Sequence, residues 1–173
     1  NLTNNKADDF MHSISADGSK ITFVSKRDNN IEVYVMNSNG NDLKRITNNN
    51  IDDLEPSLSP DGKKVTFISD KKIYLHDLDT GTQKRLTDKN DCSAPVWSPD
   101  GKKIAFVSEK DIYVVNSNGI APQNLTKNLN IEGNPKWSPD SKHISFISQR
   151  NSKWNIYIIN ANGSGELKLT DSP

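Results

Sequence analysis

One short turn sequence recurs four times along the 173 residues: Ser-Ala-Asp-Gly at Ser15 to Gly18, Ser-Pro-Asp-Gly at Ser59 to Gly62 and at Ser98 to Gly101, and Ser-Pro-Asp-Ser at Ser138 to Ser141. The copies lie about 40 residues apart, a period that belongs to stacked supersecondary units rather than to a domain built round one centre. The turn has its own chemistry. Proline presets φ at the first corner, aspartate accepts from nearby amides, and glycine takes the positive φ of a tight hairpin. That position assigns Asp17, Asp61, Asp100 and Asp140 to turn formation rather than to a catalytic carboxylate set.

Around each turn the same four segments appear. In the third copy they are an inner segment at Pro95-Val96-Trp97, an apolar segment from Ile104 to Val107, another from Ile112 to Val115, and, after an Asx-Gly turn, a Leu-Thr segment at Leu125-Thr126. Four strands per repeat make one propeller blade, so the expected class is all-β: a β-propeller of four-stranded antiparallel blades. The repeats span 4–47, 48–87, 88–126 and 127–170 of a single domain over 1–173, with 1–3 as an extra outer strand. The middle strands are apolar on both faces, as blade-on-blade stacking demands. Phe23, Phe67, Phe106 and Phe146 form one set of equivalent core positions, and Tyr34, Tyr74, Tyr113 and Tyr157 a second.

The run WSPDGKKIAFVSEKDIYVVNSNG from Trp97 to Gly119, followed by Asn124-Leu125-Thr126, resembles the repeat of the TolB-type β-propellers, and the resemblance covers essentially the whole chain. Ile14 and Leu58 stand where Trp97 and Trp137 match the pattern, and Ala16 and Ser141 depart from it in the turns. The resemblance implies a noncatalytic, protein-binding scaffold of the bacterial envelope, periplasmic or extracellular. Related repeats also occur in the propellers of prolyl-oligopeptidase-like hydrolases. Five Leu-Thr-like segments accompany four inner turns, Leu2-Thr3 being the unmatched one. Three architectures accommodate this count: part of a longer propeller, a half ring completed by a second copy as a homodimer, and a closed ring of four blades.

Tracing one blade puts both repeated turns on one rim and the varied links on the other, and variable loops on a rigid scaffold are where specificity resides. The links entering the inner strands carry Asp8, Asp9, Asp52, Asp53, Glu55, Asp91 and Glu132; the outer hairpins carry cations, among them Arg27 and Arg150. Closed round an axis, these charges predict an acidic channel mouth that takes a cationic partner segment or a hard divalent ion such as calcium. Trp154 falls in an outer hairpin and is a candidate rim contact with Arg27 and Arg150.

Other classes fit less well. With 22 basic and 22 acidic residues the chain has no net charge, which argues against nucleic acid as partner. There is no Gly-x-Ser-x-Gly elbow, no phosphate-binding glycine loop and no convergent set among His12, His76 and His143, so no catalytic residues, no cofactor and no histidine-held metal are expected. Cys92 stands alone and reads as a small packing residue. No apolar run is long enough to insert into a bilayer, and the first residues lack signal-peptide character. Carbohydrate binding through exposed aromatics and asparagine-rich loops such as Asn48 to Asn50 is the alternative nonenzymatic reading.

Overall fold

A computed structural model describes residues 1–171 and divides the chain into two compact units, Asn1–Asp88 and Lys89–Pro173. The first unit holds two four-stranded antiparallel sheets. These are β1 (Asp9–Ile14), β2 (Lys20–Ser25), β3 (Glu32–Asn37) and β4 (Lys44–Arg45), then β5 (Asp53–Leu58), β6 (Lys64–Ser69), β7 (Lys72–Asp77) and β8 (Gln83–Arg85). The second unit repeats the plan with β9 (Ser93–Trp97), β10 (Lys103–Ser108), β11 (Asp111–Asn116) and β12 (Gln123–Asn124), then β13 (Ile131–Trp137), β14 (His143–Arg150), β15 (Lys153–Asn160) and β16 (Leu167–Lys168). Each sheet is a meander in chain order, and each is one blade of the expected kind.

The repeated turns owe their sequence to one hydrogen-bond pattern. In every copy the serine hydroxyl donates to the aspartate at 2.6 Å, and the backbone N–H two residues after the aspartate donates to the same carboxylate oxygen. The four carboxylates are thereby committed to their own turns. Gly18, Gly62 and Gly101 close them with positive φ, the conformation that glycine adopts without steric cost, and Ser141 carries the same left-handed backbone in the fourth copy.

The inner strands share a feature invisible in the alternation of polar and apolar residues. Between Phe10 and Ser13, Leu54 and Ser57, Val96 and Ser93, and Gly133 and Lys136, one extra residue is inserted against the second strand. The bulge residues Met11, Glu55, Ala94 and Asn134 all have positive φ. Proline follows in three of the four, at Pro56, Pro95 and Pro135, where a bulge spares the ladder the missing N–H.

Packing follows one rule in both units: the back face of one blade meets the front face of the next. In the first unit Val24 and Val33 pack on Leu58, Val65 and Phe67; in the second, Ala105, Val107, Ile112 and Val114 pack on Ile144, Phe146 and Ile159. The Phe and Tyr sets meet as stacked cross-strand pairs, with ring centroids 5.6 Å to 5.9 Å apart. The hairpin at Gln149 to Asn155, long in sequence, is not a long loop. β14 and β15 stay paired out to Arg150 and Lys153, joined by a two-residue turn at Asn151-Ser152, so the extra length lies in the strands.

Candidate functional site

Position relative to the repeated turn divides the acids of the link rim into two classes. Aligned on the repeated turn, Asp9, Asp53, Cys92 and Glu132 are one position, and Asp8, Asp52, Asp91 and Ile131 are the position before it. Asp8 and Asp52 lie just before their strands, which Asp9 and Asp53 open, and the two classes differ in burial. Asp53 and Glu132 are almost wholly buried, as is Cys92; Asp8, Asp52 and Asp91 are exposed. Glu55 lies on the bulge, half-buried.

In the first unit the outer-strand threonine organises the buried class. The Val33 N–H donates to Thr47 Oγ1 at 2.9 Å, and Thr47 Oγ1 donates to Glu32, a side chain with no exposure. Glu32 also accepts from Arg45 at 2.8 Å and from the Asn49 N–H at 3.1 Å, while the Asn49 amide donates to Asp53 at 2.8 Å. In the second unit the same places hold Asp111, Thr126, Asn128 and Glu132. Ile112 N–H donates to Thr126, Thr126 to Asp111, and Asn128 and Ser148 to Glu132. Sequence reading missed Glu32 and Asp111. The signal was present in the repeat, since both open the third strand of a blade and both precede a Thr-x-Asn triplet whose asparagine stands four residues before a buried acid.

The two arginines also turn inward. Arg27 pairs with Asp9 at 3.1 Å, donates to Ser25 at 2.8 Å, and stacks 4.6 Å from the Tyr34 ring centroid. Arg150 repeats this, donating to Ser148 at 2.9 Å, pairing with Glu166 at 2.8 Å and standing 3.9 Å over Tyr157. Cation–π stacking holds each guanidinium against its own blade. The third blade places Lys89 4.5 Å over Tyr113 instead. Trp154 is 44% exposed on β15.

Asp53 and Glu132 each have one buried carboxylate oxygen without a hydrogen-bond partner, and burial pushes both above the usual carboxylate range. Glu32 raises Asp53 further, while Ser69, Thr47 and Asn49 pull it down. A carboxyl raised in the folded state binds its proton more tightly there than in the unfolded chain. Its stabilising contribution is therefore complete below about pH 3.9 and is lost as pH rises through the folded value. Asp17 and Asp77, held down at about 2 by hydrogen bonds from Ser15 and Lys64 first of all, act in the opposite sense, losing their contribution as pH falls. Asp53→Asn is expected to abolish its part of the loss, so the variant gains stability relative to the parent from pH 4 to 7 in urea titrations. A pH-independent difference contradicts this assignment.

Among the described residues no three His, Cys, Asp or Glu side chains are gathered so as to hold a metal ion, and no helix is long and apolar enough to cross a membrane. The fold and its rim define a propeller-repeat protein. The TolB beta propeller domain model matches residues 2–72 and 71–172, and the chain belongs to that family. TolB from Acinetobacter baumannii is similar at 25% identity with a TM-score of 0.81, over 98% of this chain and 45% of that one. An oligogalacturonate lyase from Vibrio parahaemolyticus superposes at 0.80 with 14% identity, over 99% and 56%. The β-propeller domain of the Trilobed protease from Pyrococcus furiosus gives 0.70 with 21%, over 95% and 58%. The latter two share the fold alone, and the chain spans about half the length of these neighbours. No curated protein matches the sequence.

Proposed function

We propose that this chain is a noncatalytic scaffold of the bacterial envelope whose units each hold cationic segments of a partner protein at their link rims. The observation that carries this reading is the exposed class of acids. Asp8, Asp52 and Asp91 occupy one and the same place in three repeats and are exposed, while Asp9 and Asp53, one residue further on in the first two, are more deeply buried. Asp8 keeps only a loose partner in Lys26, at 3.5 Å with both side chains largely exposed, so a competing cation displaces it at little cost. On the opposite rim the four aspartates of the repeated Ser-x-Asp turns are committed to those turns. Likeness to TolB supports both the protein-binding role and a periplasmic setting.

The test uses a short labelled lysine-rich peptide and a glutamate-rich one of equal length, with fluorescence anisotropy as readout. Asp8→Asn, Asp52→Asn and Asp91→Asn are combined. Asparagine keeps the acceptor that Asp52 gives the Ile31 N–H at 2.9 Å and tolerates the positive φ of Asp91. The parent is expected to bind the basic peptide with an affinity that falls steeply with salt, and the triple variant to lose at least about ten-fold. Equal binding of both peptides, or no change in the variant, removes the proposal.

A further inference from the structure

One of the three histidines, His76, stands in a place that the other blades fill with an apolar side chain. Aligned on the tyrosine of the third strand, its counterparts are Met36, Val115 and Ile159, all buried at 4% exposure or less. His76 is half-buried on β7, opposite Val65 of β6 and Gln83 of β8. Residues two apart on a strand share a face, and Tyr74 and Leu78 on either side of it pack, like Val65, on the core between the two blades of the first unit. The ring therefore borders the junction at which Val24 and Val33 of the first blade meet Phe67 of the second.

The two ring nitrogens are served unequally. Gln83 hydrogen-bonds the ring, but Nδ1 is buried without a hydrogen-bond partner. A neutral imidazole tolerates this, since one of its nitrogens carries a lone pair and no proton. An imidazolium does not, because both nitrogens then donate, and a buried donor without an acceptor is costly. The surrounding charges offer little relief. Asp77, next on the strand, is already engaged by Lys64 at 3.0 Å and by the N–H groups of Asp79 and Thr80. The neighbouring strands β6 and β8 contribute the cations Lys64 and Lys84. On the side of the first blade, a hollow of about 330 Å³ beside Leu78 is lined by Lys20, Lys44 and Asp42, two cations to one acid. Burial accordingly holds the ring below the ordinary histidine value, against the smaller pull of Gln83 and Asp77.

We infer that His76 is an acid-sensitive wedge in the first unit: a proton taken up on its buried Nδ1 places an uncompensated cation at the junction of the two blades and loosens their packing. The direction follows from linkage. A histidine charges near about pH 6.5 in the unfolded chain, and His76 only at lower pH in the fold, so the penalty is absent well above that value, sets in as the pH falls through it and is complete below the folded value. Asp53 in the same unit acts oppositely, because binding its proton is favoured in the fold, so only a substitution separates the two effects. The second unit carries Val115 and Ile159 at this repeat position and has nothing there to titrate.

The test is urea unfolding followed by far-UV circular dichroism at about pH 7.5 and about pH 5.5, on either side of the ordinary histidine value, for the parent, His76→Met and His76→Gln. Methionine is what the first blade has in this place, whereas glutamine stays polar and cannot titrate. Between the two conditions the unfolding equilibrium constant of the parent is expected to rise by up to about ten-fold relative to that of either variant, the factor for a group that charges near pH 6.5 in the unfolded chain alone. In proton NMR the histidine ring signal that both variants lack is expected to titrate below about pH 6.5 in the folded parent. A signal that titrates at or above that value overturns the inference. So does an acid sensitivity that persists in both variants, and so does one removed by methionine but kept by glutamine, which assigns it to packing and not to the proton. None of these results bears on binding of the lysine-rich peptide, so the two proposals stand or fall separately.

Discussion

Phe67→Ala is expected to destabilise the first unit by about 3–5 kcal/mol, the range for removing a fully buried aromatic ring from a core that cannot collapse round the gap. Phe67 has no exposure, packs among Val24, Val33, Leu58 and Val65, and stacks on Tyr74 with centroids 5.8 Å apart. The loss therefore includes a blade-to-blade contact and an aromatic pair as well as transfer of the ring from water. Because total stabilities of domains run at about 5–15 kcal/mol, a change of this size moves the urea midpoint far. Trp97, Trp137 and Trp154 all lie in the second unit, so tryptophan fluorescence reports that unit while far-UV circular dichroism reports every sheet. In a repeat protein stability is local to each repeat and its packing, and the damage is felt first where the contact was lost. The circular dichroism midpoint is expected to fall further than the fluorescence midpoint. Phe67→Leu, which keeps most of the volume, is expected to cost less than about 1.5 kcal/mol. A Phe67→Ala protein unfolding within about 1 kcal/mol of the parent, a fivefold change in the equilibrium constant, contradicts the packing rule drawn from the two cores.

Some residues disclose their place through local chemistry and others only through tertiary partners. Ser-Pro-Asp-Gly is a local signal: its serine, aspartate and backbone N–H groups satisfy one another within five residues, so the turn and the blade period are readable without tertiary information. The Phe and Tyr sets are readable for a related reason, since each Phe recurs at a fixed distance from its turn and pairs directly across one hairpin with its Tyr. Adjacent acids such as Asp52 and Asp53 are another matter. A run of two carboxylates in a link looks like one charged patch, yet the strand begins at Asp53, which is buried, while Asp52 just before it is exposed. The bulge at Glu55 then resets the alternation, so counting back from the apolar residues of the inner strand assigns the wrong face. The arginines are concealed by their blades. Arg27 lies just beyond the second strand of its blade and Arg150 at the end of its own, and each side chain folds back over the tyrosine of the same blade rather than out to solvent. Glu32 is concealed by its neighbours, because a glutamate opening a strand beside polar loops reads as surface unless the repeated threonine is recognised as its donor.

Arg45→Met is expected to cost about 3–5 kcal/mol, comparable to the loss of the Phe67 ring but for an electrostatic reason. Glu32 has no exposure, and Arg45, 28% exposed, is the cation that compensates it at 2.8 Å; it also donates to the Thr47 carbonyl at 2.7 Å and pairs with Asp28 at 3.0 Å. Methionine retains the apolar stem of the side chain but leaves the carboxylate buried without a counter-charge, and an uncompensated buried charge is penalised far more than the pair contributes. The double variant Arg45→Met, Glu32→Met is therefore expected to be more stable than Arg45→Met alone, even though it removes a second native partner. Thr47 and the Asn49 N–H each lose an acceptor in it, which keeps it below the parent. The second unit supplies the control. There Asn124 stands where Arg45 does, donating to Asp111 at 2.7 Å and to the Tyr113 hydroxyl at 3.1 Å, and Asp111 is only half-buried. Asn124→Ala removes a hydrogen bond to a carboxylate that water still reaches, so its expected cost is about 1–2 kcal/mol. Urea unfolding of the parent, the two single variants Arg45→Met and Glu32→Met, and the double variant closes the cycle and measures the coupling directly. A coupling energy near zero would contradict the pairing of Arg45 with Glu32 and transfer the role assigned to Arg45 to its contact with Asp28.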